Sequence, residues 1–262
     1  MSDLVRKNPH VECTKKVKSL LERNRTAIIK SLPPQFNNYE RLVGSVINAI
    51  STTPAIAECN PDSIFISTLK AFRLGIEPNS PLGEGYLVPF KNKAQFMPGY
   101  RGLIKLARQS GEIKEVYGRA VHKNDDFEVI EGTEGRKIVH RPDYFTDRGK
   151  VLGYYAVFTL KDGGYDFEVM SKHDIDKIRG RSRSGKSNQS PWGTDYDEMA
   201  KKTVIKRLLK RAPMSIDAVQ AAIKDDNAVA MGEEQDDSDV IDILGHEVET
   251  SPLEANEKRG GE

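Results

Sequence analysis

Cysteine is nearly missing from this chain of 262 residues: Cys13 and Cys59 cannot build a disulfide framework. The five histidines stand at no metal-ligand spacing to them or to one another, so neither a zinc site nor any other metal or cofactor is expected. No apolar run approaches the roughly 20 residues of a membrane span, and the N-terminal stretch does not read as a signal peptide. The expectation is a cytoplasmic protein with no membrane role. Catalytic constellations are missing too. Glu112 and Lys114 precede Asp143, the reverse of the order a nuclease metal site would need, and Asp125, Asp126 and Glu128 lie in strand and turn contexts where solvation is the default. No serine or cysteine is paired with an activating base, so the chain reads as a non-enzyme.

One further absence turns the argument towards what is present. Between Asp176 and Asp195 there is no acidic residue, while Arg179, Arg181, Arg183 and Lys186 crowd the interval. The net charge of +1 hides two opposed parts. Residues 225–262 hold thirteen acids against two bases, and the preceding 224 residues carry 38 bases against 26 acids. A basic body followed by an acidic tail is the charge pattern of a polyanion binder.

Periodicity and punctuation give the organisation. Helices are expected over 15–31, stopped by Pro33 and Pro34, over 38–51 with Asn38 as cap, and from Asn60 and Pro61 to Gly75. The first 14 residues read as mobile. A hairpin follows over 85–97 around Lys91 and Lys93, then a helix over 99–110 closed by Gly111. Strands are expected near 113–122, 126–131, 136–140, 151–160 and 165–170, the last two joined by the turn at 161–164. Helices resume at Ser171, at 195–211 and at 215–224. Antiparallel hairpins in an unmixed run predict an α+β fold, an antiparallel sheet with packed helices in a single core domain. The divisions are an N-terminal arm and helix over 1–37 that could contact another subunit, a core over 38–224, and a disordered acidic tail over 225–262. Within the tail, residues 240–244 (VIDIL) are either a short docking motif or spacer.

Two helices present cationic stripes. On the later one Lys202, Lys206 and Lys210 form an i, i+4 ridge with Arg207 beside it, opposite Val204, Ile205, Leu208 and Leu209. A row of like charges costs helix stability unless an anion neutralises it, and a phosphate backbone is a repeated anion. On the earlier one Arg101, Lys105 and Arg108 share a face. With Lys91 and Lys93 these stripes read as walls of one groove, and Tyr86, Phe90, Tyr100 and above all Trp192 could stack on exposed bases. Residues 180–187 (GRSRSGKS) match the nucleotide-binding P-loop string letter for letter. Their flanks do not fit, because the lead-in is polar and helix-like and the lead-out meets Pro191 after three residues.

Taken together, LGIEPNSPLG (74–83), YLVPF (86–90), GYRGLIKLARQSG (99–111), HRP (140–142), LKDGG (160–164), FEVM (167–170), PW (191–192) and EMAKK (198–202) resemble the RecT family of phage and prophage single-strand DNA annealing proteins. The match covers about residues 40–216. The resemblance implies a protein that coats single-stranded DNA, oligomerises into rings or helical filaments and anneals complementary strands without ATP. It implies a core fold related to that of the lambda Red annealing protein. The partners it implies are single-stranded DNA, the annealed duplex, a 5′→3′ exonuclease and a host single-strand-binding protein, in the cytoplasm of a bacterium. It carries a DNA-groove role onto Arg101, Lys201 and Lys202. Lys201 falls among the apolar residues on the helical wheel, where it could reach DNA or a neighbouring subunit. Two alternatives stay open on the residues: an ATP-dependent strand-exchange enzyme using the 180–187 string, and a structural protein that only coats DNA.

Overall fold

Proline and asparagine divide the first part of the chain. The computed structural model describes residues 9–240 apart from 134, 184, 189, 213–216 and 239. Five helices come first: α1 (Pro9–Arg23), α2 (Arg25–Ser31), α3 (Tyr39–Thr52), α4 (Pro54–Ala57) and α5 (Pro61–Arg73). The caps are as expected: Asn38 Oδ1 accepts from Arg41 N at 2.9 Å and Asn60 Oδ1 from Asp62 N at 2.8 Å. The helix expected over 15–31 is broken at Asn24, whose side-chain amide donates to the Leu20 carbonyl and competes with the backbone ladder. Residues 9–14, expected to be mobile, are instead helical. Their apolar side drives this: Cys13 and Val17 are buried where α1 meets α3, α4 and α5. Residues 1–8 lie outside the described residues.

Seven strands follow, interrupted by one helix. They are β1 (Gly85–Phe90), β2 (Lys93–Pro98), then α6 (Tyr100–Gln109), then β3 (Ile113–His122), β4 (Asp126–Gly132), β5 (Gly135–Arg141), β6 (Val151–Leu160) and β7 (Tyr165–Ser171). All pairings are antiparallel, in three separate sheets: β1-β2, β3-β6-β7 and β4-β5. The central strand β6 is buried from Gly153 to Phe158 because both faces are covered. Tyr154, Ala156 and Phe158 join the main core with Val116, Ile205 and Leu209. Tyr155 and Val157 form a second cluster with Val121 and Phe167, roofed by Phe127 and Ile138 of the β4-β5 hairpin. A strand buried on both faces reads as an apolar run, which 153–158 (GYYAVF) is.

The loop over 74–84 is strapped onto α6. Gly99 N donates to the Glu84 carbonyl at 2.8 Å, and a methyl group added to Gly102 would land on that same oxygen, so only glycine lets the helix come this close. Asn79, at φ 58°, fixes the other end of the loop by accepting from Leu87 N at 2.7 Å.

The chain ends in α7 (Lys172–Arg181), α8 (Pro191–Thr194), α9 (Tyr196–Leu209) and α10 (Asp217–Met231). The boundary expected at Asp225 is displaced: it falls inside α10, and the segment beyond stays packed. Lys70 on α5 is buried and pairs with Asp225 at 3.2 Å and Asp237 at 2.9 Å. The Gln235 side chain donates to Phe96 O at 2.6 Å and accepts from Phe96 N at 3.1 Å, and Val240 is fully buried. The acids of this segment read as tail because their buried partner, Lys70, stands 155 residues earlier. Residues 241–244 of the VIDIL cluster, and the rest of the expected tail, lie outside the described residues.

Truncation tests this packing. A chain ending at Lys224 leaves Lys70 buried with no carboxylate, and an uncompensated buried charge costs about 3–5 kcal/mol. It should unfold at distinctly lower urea than the full chain; equal midpoints would show that 225–240 contributes nothing.

Candidate nucleic-acid interface

Helix α9 is covered on two sides, by the β3-β6-β7 sheet and by α6, so it buries a wider arc than its apolar stripe suggests. Lys202 lies within that arc, 5% exposed. Its ammonium pairs with Asp226 of α10, and Lys206 Nζ reaches the other carboxylate oxygen at 2.6 Å. Burial would raise the Asp226 carboxyl, but the two ammoniums overcome it and hold it below the ordinary carboxylate range. Burial pulls Lys202 below the usual lysine range. The lysine row does require an anion, as expected from its repulsion; that anion is Asp226 of the same chain. Lys202 and Lys206, expected to line the groove, are here partners in an internal ion pair.

The neighbours on this helix are also engaged. Arg207 pairs with Glu168 at 2.7 Å, and Lys201 turns back to Glu198 at 2.9 Å. Lys210 remains exposed. Trp192, expected to stack on bases, is 3% exposed and packs edge-on against Tyr196 at 5.9 Å, so it belongs to the core. Tyr100 likewise packs against the core. On α6, Lys105 pairs with Glu84 at 2.6 Å and sits 4.9 Å from the Phe36 ring centre. Arg101 stays exposed with a long bond to the Leu82 carbonyl at 3.3 Å, and Arg108 is exposed.

What the structure does bring together is the β1-β2 turn and the loop after α7. Lys91, at φ 51°, projects from the turn and lies 5.3 Å from the Phe90 ring centre, while the Arg183 guanidinium lies 4.6 Å from the same ring. Phe90 is thus buried between two cations. Lys93 beside them pairs with Glu234 at 2.7 Å in a half-exposed bridge, the kind that contributes little and opens readily. Arg181, the last residue of α7, and Lys186 in the loop are exposed, and Arg179 donates to the Gly185 carbonyl at 2.8 Å. Along β1, Tyr86 is 40% exposed on the face it shares with Val88 and Phe90. An exposed tyrosine and Arg101 therefore stand at one end of the strand, and a cluster of exposed cations at the other.

The 180–187 string cannot cradle phosphate in this arrangement. Gly180 lies inside α7, so a helix and not a strand leads in. The backbone N–H groups of Ser182, Arg183 and Gly185 already donate to the carbonyls of Ile178, Ala230 and Ser182. A P-loop needs such donors free and pointing at the anion.

The sequence reading left one buried polar cluster out altogether. Asp125, expected to be solvated, has a fully buried carboxylate that takes Arg148 through Nε and Nη2, both at 2.7 Å, and the His140 Nε2 at 2.9 Å. Arg148 above all holds this carboxyl far below the ordinary range. The other ring nitrogen of His140 meets the Tyr155 hydroxyl at 3.1 Å, and burial pushes that phenol up to about 12. The cluster ties the hairpin, the sheet and the loop over 142–150 together. Its only sequence signal is the HRP string, which carries no spacing to Asp125 or Tyr155.

The RecT family profile matches residues 40–242. The chain is 38% identical over 216 residues to Protein RecT of Escherichia coli K12, covering 79% of this chain and 78% of that protein. It is 27% identical over 243 residues to Uncharacterized protein YqaK of Bacillus subtilis 168, covering 87% and 84%. The chain belongs to the RecT family. Membership makes it a DNA-recombination protein that binds single-stranded DNA and anneals it. Among the described residues no helix is long and apolar enough to cross a membrane, and no cluster of His, Cys, Asp and Glu could hold a metal ion.

Replacing Asp226 by alanine strands Lys202 and should cost about 3–5 kcal/mol of stability in urea unfolding. Because the folded carboxyl lies below its unfolded value near 4, the stabilisation is present above about pH 4 and is lost as the pH falls through the folded pKa. The variant should lose this pH dependence; a variant as stable as the parent at pH 7 would place Lys202 in solvent.

Proposed function

We propose that this RecT-family chain anneals complementary strands without ATP, as a ring or helical filament of identical subunits, with each strand held along the β1-β2 hairpin and the loop following α7. The observation that carries this reading is the separation of the basic residues into two sets. Those on α9 are spent on Asp226, Glu168 and Glu198, whereas Lys91 and Arg183 meet at Phe90 at one end of β1, with Arg181 and Lys186 exposed on either side of Arg183 in the chain and Tyr86 and Arg101 at the other end of the strand. Cations that follow a backbone, with an exposed ring between them, hold a single strand whatever its sequence. Pairing energy then selects the partner strand, so the protein needs no base-reading element and no fuel. The committed N–H groups of Ser182, Arg183 and Gly185 support independence from nucleotide. The reading also places the protein in the cytoplasm of a bacterial host, beside a 5′→3′ exonuclease that supplies the single strand and a host single-strand-binding protein that competes for it.

Annealing of complementary oligonucleotides should proceed equally with and without ATP, and Lys186→Ala should weaken DNA binding modestly in both conditions. Lys91→Ala and Arg183→Ala should each reduce the slope of log K against log salt by roughly 0.7, one phosphate contact apiece. Annealing that requires ATP would support the strand-exchange reading, binding without annealing the coating protein, and unchanged salt slopes would move the DNA to another face.

A further inference from the structure

The most exposed aromatic side chain and a sizeable surface cavity lie at opposite ends of the β4-β5 hairpin. Phe145, 99% exposed, sits in the loop over 142–150 directly after β5. That loop is held firmly. Arg148 is clamped by the buried Asp125, Asn124 bonds the backbone of Asp147 and Arg148, and Phe145 N itself donates to Asp143 Oδ1 at 2.9 Å. Phe145 therefore cannot fold back onto its own surface. At the hairpin tip a cavity of 890 Å³ is lined by Ile130, Thr133, Lys137, Tyr165 and Phe167, among others. Ile130 and Tyr165 are 45% and 51% exposed there. One wall is fixed by Arg136, which pairs with Glu131 and Asp166.

We propose that Phe145 of one copy of this chain seats in the hairpin-tip cavity of the next copy. The occupant is identified by charge as well as by shape. Asp143 and Asp147 flank Phe145, each using one carboxylate oxygen on a backbone N–H of its own loop, and Lys137 at the cavity makes no ion pair among the described residues. An apolar knob between two acids matches a cavity lined by Ile130, Tyr165 and Phe167 together with Arg136, Asp166 and the unpaired Lys137. The two features cannot meet within one molecule, because seven residues of β5 separate them by roughly 20 Å at about 3.3 Å per residue. The contact joins two different patches of the surface, and repeated head to tail it gives a ring or a filament. This inference rests on the oligomeric reading above and adds its contact surface.

Disulfide capture between copies tests it in the full-length chain. Thr133→Cys on one tagged population and Thr146→Cys, which keeps Phe145, on another should give a covalent heterodimer on mild oxidation after mixing, with Cys13 and Cys59 buried and out of reach. In sedimentation velocity without DNA, Phe145→Ala and Lys137→Glu should each shift the population towards smaller species while the circular dichroism spectrum is unchanged. Absence of the cross-link, or variants that sediment as the parent, would overturn the contact. A Phe145→Ala variant that sediments normally and loses single-strand affinity would also overturn it, assigning the ring to base stacking instead. Annealing by the parent protein is scored separately, so failure of this contact leaves the annealing reading standing.

Discussion

The buried triad of Lys202, Lys206 and Asp226 sets what every neighbouring element can do. Two ammoniums meet one carboxylate between α9 and α10, with Lys202 and Asp226 almost wholly out of water. Removing either sign leaves a charge where the interior cannot solvate it, so α10 has to dock wherever α9 is folded. The docking of α10 brings in the following segment, whose acids close on Lys70 and Lys93 and whose Gln235 pairs with β2. The acidic continuation of the chain is in this respect structural. It neutralises the basic helix from within and leaves Lys91, Arg181, Arg183 and Lys186 exposed.

The β4-β5 hairpin depends on a second buried carboxylate in a similar way. Asp125 gathers Arg148, His140 and the His122 backbone N–H, and through His140 it reaches Tyr155 on the central strand. A carboxylate with that many donors is a rigid joint. It fixes the angle of the hairpin on the sheet and presents the loop over 142–150 to the outside. Rigid presentation lowers the ordering cost of any contact made by that loop.

Most of the fold was legible because local chemistry decides it. Asn38, Asn60 and Ser171 cap helices, Gly111 closes one, and apolar runs at 151–160 and 165–170 pair across a tight turn. The start of α1 was missed because Val11 and Cys13 are its only apolar residues beyond Pro9 before Val17, and the burial of Cys13 comes from α3, α4 and α5. The candidate site was legible only in part. Lys91, Arg183 and Arg101 stand on the surface, whereas the lysine ridge of α9, expected to face phosphate, closes on Asp226 of the same chain. The physical premise, that such a row needs a counter-charge, was sound. The counter-charge lies 20 residues away on a helix whose acids resemble a tail, and helical periodicity contains no information about which neighbour covers a face. Asp125 was read as solvated for the same reason, since its partners His122, His140 and Arg148 come from three separate segments.

Lysine-reactivity footprinting with and without single-stranded DNA tests the division of charge most directly. In the free protein Lys91 and Lys186 should acetylate readily and Lys202 should stay unmodified, with Lys206 slow. Addition of single-stranded DNA should protect Lys91 and Lys186 and leave Lys202 unchanged. Ready modification of Lys202 in the free protein, together with its protection by DNA, would contradict the account and return the ridge of α9 to the nucleic acid.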